Sequence, residues 1–189
     1  MTLMQKVTVI GGGAWGTALA LLLAEEENEV ALWVYEEDLV DRMREQKENV
    51  LYLPGFCLPD HLKPTCKLAE AVAGSEMVVS VVPSHVTRRV FEQLRDLIPA
   101  GVPIVSATKG IENETLLPIS DVLRSVLPKT HHPHLAFLSG PSFAQEVALQ
   151  LPTAVSIASW EPSLSKKLQK IFTRPYFKEG LYPISEHKP

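Results

Sequence analysis

Apolar positions occur along the chain in two patterns, short continuous runs and longer stretches with helical spacing. The short runs are rich in β-branched side chains, which is typical of strands buried on both faces of a sheet. Six strands are predicted on this basis, at Lys6–Ile10, Glu29–Tyr35, Met77–Val82, Val102–Ala107, Leu135–Ser139 and Ala154–Ala158.

The stretches between these strands carry helical periodicity or helix-forming residues. Helices are predicted at Ala14–Glu27, Glu36–Lys47, Ser84–Leu97, Glu114–Leu127, Ser142–Leu149 and Pro162–Phe172. Alternating strands and helices favour an α/β fold with a doubly wound, mostly parallel sheet and helices on both faces. The segment from Leu51 to Thr65 has three prolines and a glycine. It is predicted to be an ordered surface loop, followed by a short strand and helix near Cys66 to Ala73.

Composition and charge limit the functional classes. The 189 residues are 46% hydrophobic and 21% charged, so we expect one domain with one sizeable core. A net charge of −4 argues against the basic face that nucleic-acid binding requires. No apolar run approaches the length of about 20 residues that spans a membrane, and no signal peptide is recognisable. We expect a cytoplasmic protein, with a trimmed organellar transit peptide as the alternative.

Neither the cysteines nor the histidines predict a metal site. The spacing of Cys57 and Cys66 matches neither a zinc site nor a redox pair, which favours reduced thiols over a disulfide. His131, His132 and His134 have no cysteine or carboxylate at ligand spacing. A solvated loop is therefore expected there.

A glycine motif, Gly11-Gly12-Gly13-Ala14-Trp15-Gly16, follows the first strand directly and precedes a helical run. This placement is typical of a Rossmann-type dinucleotide site. Gly11 would permit the tight turn, Gly13 would let the backbone approach a pyrophosphate, and Gly16 would allow helix and strand to pack closely. Free N–H groups and the positive end of the helix dipole would then face the phosphates.

The end of the second strand bears on the choice of cofactor. Glu36 lies 20 residues beyond Gly16, where an acidic residue hydrogen-bonds the ribose hydroxyls and repels a 2′-phosphate. NAD is therefore favoured over NADP. The alternative is that Glu36 and the acids after it only open the next helix, where its dipole also favours them.

Ligands of an open parallel sheet lie beyond the carboxyl ends of its strands, so the turns there are candidates for chemistry. Lys109 is the only cation in three such turns and would lie beside the cofactor, although a lysine there is also common in solvated loops. His85 is either a general base or a residue that opens a helix at the edge of the cleft. Trp15 is either a cofactor contact or an apolar anchor of the first helical turn.

Six segments together resemble the NAD-dependent glycerol-3-phosphate dehydrogenase family in order and separation. They are GGGAWGTALA, WVYEED, ENVLYLPG, VVPSH, SATKGIE and LSGPSFAQEV. The resemblance covers Lys6 to about Arg174 and implies reversible hydride transfer between glycerol 3-phosphate and NAD, giving dihydroxyacetone phosphate. It also implies a role in glycerol phosphate metabolism and phospholipid biosynthesis, and a homodimer in the full-length protein.

Residue by residue, the resemblance implies two sets of contacts. Those to the cofactor would be Gly11, Gly13, Ala14, Trp15, Gly16, Tyr35, Glu36, Tyr52, Pro83, Lys109 and Ala144. Substrate would be held by Lys109, Gly140 and Ser142. Tyr35 and Glu36 depart from the histidine or arginine that NADP-using members often have there, which supports NAD.

The resemblance also implies a helical domain after the cofactor domain, which carries a lysine as the general acid and base. FKEGLYPISEHKP at the end of the chain contains no such motif. Residues 1–189 are therefore expected to form a dinucleotide-binding domain that holds no catalytic residue and binds cofactor without turnover. Two alternatives remain, a non-catalytic NAD-sensing module and another dehydrogenase of the 6-phosphogluconate or 2-hydroxyacid type.

Overall fold

The computed structural model describes residues 6–184 and places eight strands in one twisted sheet. Their bounds are β1 Lys6–Ile10, β2 Glu29–Trp33, β5 Leu62–Thr65, β6 Met77–Ser80, β7 Ile104–Ser106, β8 Leu135–Ser139, β9 Thr153–Ser159 and β10 Phe177–Pro183. Across the sheet they lie in the order β10-β9-β8-β7-β6-β1-β2-β5. A separate antiparallel pair consists of β3 Glu48–Asn49 and β4 Leu53–Cys57. The predicted α/β fold, a mostly parallel sheet flanked by helices, is confirmed.

Helices cover both faces of the sheet, as the alternation of elements predicted. Their bounds are α1 Ala14–Ala24, α2 Glu37–Gln46, α3 Leu68–Val72, α4 Ser84–Leu94, α5 Ile119–Val126, α6 Ala144–Ala148 and α7 Pro162–Phe172. A 3-10 helix spans Lys129–His134. Buried side chains of α1, α2 and α7 form one apolar core with their face of the sheet, and those of α3, α4 and α5 form a second core on the other face. The central strands β1, β2, β6 and β7 are buried on both sides, which explains their continuous apolar runs.

The order in which strands are added to the sheet changes direction at β1. From β1 the chain winds outward through β2 to β5, then crosses back to pair β6 on the other side of β1. All pairs from β5 to β8 are parallel, whereas β9 runs antiparallel to β8. A ligand of such a sheet lies at this crossover, beyond the carboxyl ends of β1 and β6.

The predicted loop from Leu51 to Thr65 contains two strands that the prediction missed. β4 pairs with β3, and β5 extends the sheet beside β2. Pro64 lies in β5, which is tolerated because β5 is an edge strand whose outer N–H groups need no partner. The helix expected near Cys66 to Ala73 is present as α3, but the short strand expected with it is not; the nearest strand is β5, which ends at Thr65.

Two other regions differ from the prediction. The helix expected from Glu114 begins only at Ile119, because Leu116 has a φ of 58° and Pro118 can precede or open a helix more readily than it can continue one. β10 was not predicted at all. Its sequence FKEGLYP includes glycine and charged residues, which are uncommon in strands. β10 forms because it pairs with β9, a separate segment of the chain.

Candidate functional site

The glycine turn after β1 is packed tightly against the end of β6. Gly11 has a φ of +123°, and a Cβ added there would lie 2.9 Å from the carbonyl carbon of Val81. Its N–H donates to the carbonyl of Trp33 at 3.0 Å. A Cβ on Gly16 would overlap the carbonyl oxygen of Gly11. The roles expected of Gly11 and Gly16, a tight turn and close packing, therefore agree with the backbone geometry.

The first turn of α1 faces open space. Gly13 is the N-cap residue, provides no capping side chain, and would place a Cβ within 4 Å of nothing among the described residues. This first turn, which the structure describes throughout, contains no acidic residue, so the positive end of the helix dipole is not neutralised locally. The indole Nε1 of Trp15 is buried and has no hydrogen-bond partner within residues 6–184. Such a backbone cradle fits a pyrophosphate group.

A cleft of about 730 Å³ opens over this turn, within the size range of small-molecule and cofactor sites. It brings together most of the residues predicted to bind cofactor: Gly11, Gly13, Ala14, Trp15, Gly16, Tyr35, Glu36, Tyr52 and Pro83. Nine other residues also line it, namely Gly12, Trp33, Leu68, Val81, Val82, Val86, Arg89, Val90 and Gln93. Four of these lie on α4, where i, i+3 and i+4 spacing from the predicted Pro83 could have identified them.

The far end of the cleft holds Glu36 and Tyr52. The Tyr52 hydroxyl donates to the Glu36 carboxylate at 3.0 Å, and this bond and the adjacent negative charge raise the pKa of Tyr52. Tyr35 is 72% exposed, with its ring edge-on to Trp33 at 6.3 Å. Within the described part of the chain, Glu36 and Arg89 are the only charged residues that line the cleft. Glu36, the residue predicted to favour NAD over NADP, therefore lies where it can contact a ligand.

A smaller cavity of about 280 Å³ adjoins the cleft and shares Trp15, Val81, Val82 and Pro83 with it. The rest of its lining is Ala107, Thr108, Lys109 and Ser142. The Lys109 ammonium donates to the carbonyls of Gly140 at 3.4 Å and Ser142 at 3.3 Å, and lies 5.6 Å from the centre of the Trp15 ring. The structure thus brings the three predicted substrate residues together.

An ion pair anchors the loop that carries Lys109. Arg88 on α4 donates two hydrogen bonds to Glu112, at 2.9 and 2.8 Å. Thr115 also donates to Glu112, which is only 6% exposed. The pKa of Glu112 is lowered by Arg88 first and by Thr115 second. Arg88 therefore fastens the Lys109 loop to the helix that forms one wall of the cleft.

Ala144 lies outside both cavities. It begins α6 and packs, partly buried, against the apolar core beside α1. His85 is exposed in the first turn of α4 and also lines neither cavity, which agrees with a helix-opening residue.

Other classes of site are not visible in residues 6–184. No three histidine, cysteine or acidic side chains there come together as a metal site. His131 is buried rather than solvated, so the loop expected at 131–134 was wrong in this respect. Cys57 and Cys66 are both free thiols. Within the same residues no helix is long and apolar enough to cross a membrane.

A family profile described as NAD-dependent glycerol-3-phosphate dehydrogenase N-terminus matches residues 6–165. The chain belongs to this family. A glycerol-3-phosphate dehydrogenase (NAD(P)+) of Syntrophotalea carbinolica is 48% identical over 174 residues, which cover 92% of this chain and 52% of that protein. The corresponding protein of Desulfotalea psychrophila is 45% identical over 179 residues, which cover 93% of this chain and 53% of that protein.

Solved glycerol-3-phosphate dehydrogenases have the same fold. The structure from Coxiella burnetii aligns with a TM-score of 0.86 at 35% identity, over 97% of this chain and 55% of that one. The structure from Saccharomyces cerevisiae aligns with a TM-score of 0.81 at 30% identity, over 94% of this chain and 56% of that one. The chain spans about half the length of the glycerol-3-phosphate dehydrogenases it matches.

Proposed function

We propose that residues 1–189 form the cofactor domain of an enzyme that interconverts glycerol 3-phosphate and dihydroxyacetone phosphate with NAD. The observation that carries this proposal is the junction of two cavities at Trp15, which lines both the cleft over the glycine turn and the Lys109 cavity. A helical domain following residue 189 would supply the general acid and base.

The glycine turn fits the pyrophosphate of a dinucleotide. The backbone N–H groups at the start of α1 are uncapped and border open space at Gly13, so they would hold the phosphates together with Ala14 and Trp15. When bound, the nicotinamide ring accepts or donates hydride. Pro83 lines both cavities and would help to exclude water from this point.

Glu36 supports NAD rather than NADP. Its carboxylate is held by the Tyr52 hydroxyl at 3.0 Å and would accept hydrogen bonds from ribose hydroxyls while it repels a 2′-phosphate. Arg89 lines the same cleft and is the residue that would favour NADP. Relatives described as using NAD(P)+ are consistent with this balance of charges.

Lys109, Gly140 and Ser142 would hold the substrate. The Lys109 ammonium is already placed by two carbonyls and can donate to substrate oxygens, and its charge favours a phosphate ester. Ala144 would contact the cofactor only after a shift of α6 or with the rest of the enzyme in place. We further propose a cytoplasmic homodimer that serves phospholipid biosynthesis.

Calorimetric titration of the chain with NADH and, in parallel, NADPH tests this proposal. We expect NADH to bind at least about tenfold more tightly, roughly 1.4 kcal/mol. Tighter NADPH binding would overturn the cofactor preference, and absence of binding by either would overturn the dinucleotide site. The chain alone should not oxidise glycerol 3-phosphate at an enzymatic rate, because the proposed general acid and base belongs to the helical domain.

A further inference from the structure

A buried asparagine lies beneath the cleft, between the glycine turn and Tyr52. Asn49 is in β3, is 0% exposed, and does not line the cleft itself. Its Nδ2 donates to the carbonyl of Gly12 at 2.8 Å and to the hydroxyl of Thr17 at 2.8 Å. Its Oδ1 accepts the backbone N–H of Tyr52 at 3.2 Å. One amide therefore contacts both ends of the candidate dinucleotide site.

The bond to Gly12 fixes the direction of a neighbouring N–H group. The carbonyl of Gly12 and the N–H of Gly13 belong to one planar trans peptide, so they point in opposite directions. Because the Gly12 carbonyl is held on Asn49, the Gly13 N–H points away from Asn49, and Gly13 itself lines the cleft. Asn49 thereby orients a donor to the pyrophosphate without touching the ligand.

The bond to Tyr52 acts on the other end of the cleft. With its backbone N–H held by Asn49, Tyr52 places its hydroxyl 3.0 Å from the Glu36 carboxylate. Tyr52 is 39% exposed and belongs to the short β3–β4 connection, where the bond to Asn49 holds its backbone. Asn49 therefore holds the backbone of Tyr52, and the Tyr52 hydroxyl in turn holds Glu36.

We propose that Asn49 is a positioning residue that sets both dinucleotide affinity and the preference between NADH and NADPH. The inference rests on the proposed cofactor function. The effect on affinity and the effect on preference should be separable by mutation. The amide N–H groups of Asn49 act on the glycine turn, whereas its amide oxygen acts on Tyr52 and, through Tyr52, on Glu36.

Four proteins test the inference in NADH and NADPH titrations: the unchanged chain, Asn49→Ala, Tyr52→Phe and the double variant. Asn49→Ala should weaken NADH binding about tenfold, comparable to the loss of one or two hydrogen bonds. It should also lower the preference for NADH about threefold, and Tyr52→Phe should lower that preference by a similar factor. In the Tyr52→Phe background, Asn49→Ala should leave the preference unchanged while NADH still binds more weakly.

A purely structural role would give a different result. Asn49→Ala would then lower the unfolding temperature and weaken the binding of NADH and NADPH by the same factor. The preference between the two nucleotides would not change, and this result would overturn the inference. So would a change in preference that persists in the Tyr52→Phe background. If the unchanged chain binds neither nucleotide, the proposed function itself fails; if it binds and Asn49→Ala binds identically, only the positioning role fails.

Two further variants guard against misfolding and non-specific effects. Asn49→Asp keeps an acceptor for the Tyr52 N–H but loses the donor to Gly12, so it should weaken NADH binding and keep the preference for NADH. If Asn49→Ala does not fold, Tyr52→Phe decides the part on preference, because it removes only a hydroxyl from a residue that is 39% exposed; an unchanged preference for NADH in that variant would overturn the inference. Asn113→Ala removes an exposed asparagine amide on another loop and should change neither quantity.

Discussion

The cleft over the glycine turn and the cavity beside Lys109 are adjacent but held together differently. The floor of the cleft consists of backbone atoms in van der Waals contact, so that Gly11 and Gly16 leave no room for a side chain. The Lys109 side chain is exposed, and its ammonium rests on carbonyls at 3.3 to 3.4 Å. Changes in the first region should therefore affect folding and binding together, and changes in the second should affect binding alone.

The largest effect is expected from Gly16→Ala. Its Cβ would overlap the carbonyl oxygen of Gly11, so the turn must open. We expect the free energy of unfolding to fall by about 3 kcal/mol or more, and NADH binding to be lost as well. Gly13→Ala is the matched control, because its Cβ meets open space. Urea unfolding should show that this control is within about 1 kcal/mol of the parent chain. Equal stability of the two variants would contradict the close packing at Gly16.

Lys109→Met should separate binding from stability. We expect dihydroxyacetone phosphate to bind about tenfold more weakly in the presence of NADH, because a charge-assisted contact is lost, with less than about 0.5 kcal/mol change in stability. Calorimetry and urea unfolding measure the two quantities. Lys129→Met, at an exposed lysine in the 3-10 helix, is the control and should leave both unchanged. Unaltered affinity in Lys109→Met would remove Lys109 from the substrate site.

Arg88→Met should lower the midpoint of thermal unfolding, because it leaves the buried Glu112 carboxylate without its ion-pair partner. Arg42→Met, which loses only the exposed pair with Asp38, should lower it less. Arg88 depresses the pKa of Glu112 in the folded chain. The stability it contributes is therefore present above the unfolded pKa, about 4.3, and is lost as the pH falls through the folded value. A gap between variant and parent that persists unchanged at pH values well below about 4 would contradict this assignment.

The smallest effect is expected at His131, which lines neither cavity. Burial first, and then the nearby charges of His134 and His132, lower its pKa. The folded chain therefore binds a proton less readily than the unfolded chain, and stability should fall as the pH drops below about 6.5. His131→Phe should reduce this fall by less than about 1 kcal/mol between about pH 7.5 and 5.5, with NADH affinity unchanged.

The two regions also differ in how far sequence could predict them. The glycine turn is contiguous, and its roles depend on spacing between neighbours, so the tight turn at Gly11 and the close packing at Gly16 were predictable from the sequence. Arg89 and Gln93 enter the cleft from α4. Helical spacing from Pro83 places both on one face of α4, but whether that face borders the cleft depends on how α4 packs in the fold, which no local pattern encodes.

Pairing between distant segments accounts for the remaining differences. β5 and β10 lie at opposite edges of the sheet, and each is defined by a strand from a separate segment of the chain. Propensity alone did not identify them, because proline, glycine and charged residues are tolerated at sheet edges. The buried amide of Asn49 is a similar case, since its partners Gly12 and Thr17 come from a different element.

A crystal structure of the chain with bound NAD would locate each part of the dinucleotide. We predict that the pyrophosphate lies on the backbone N–H groups of Gly13 to Trp15 and the adenine-side ribose beside Glu36. The nicotinamide should lie beside Trp15 and the Lys109 cavity. A dinucleotide bound elsewhere, or bound in the cleft with its nicotinamide at the Glu36 end, would contradict the proposed cofactor site.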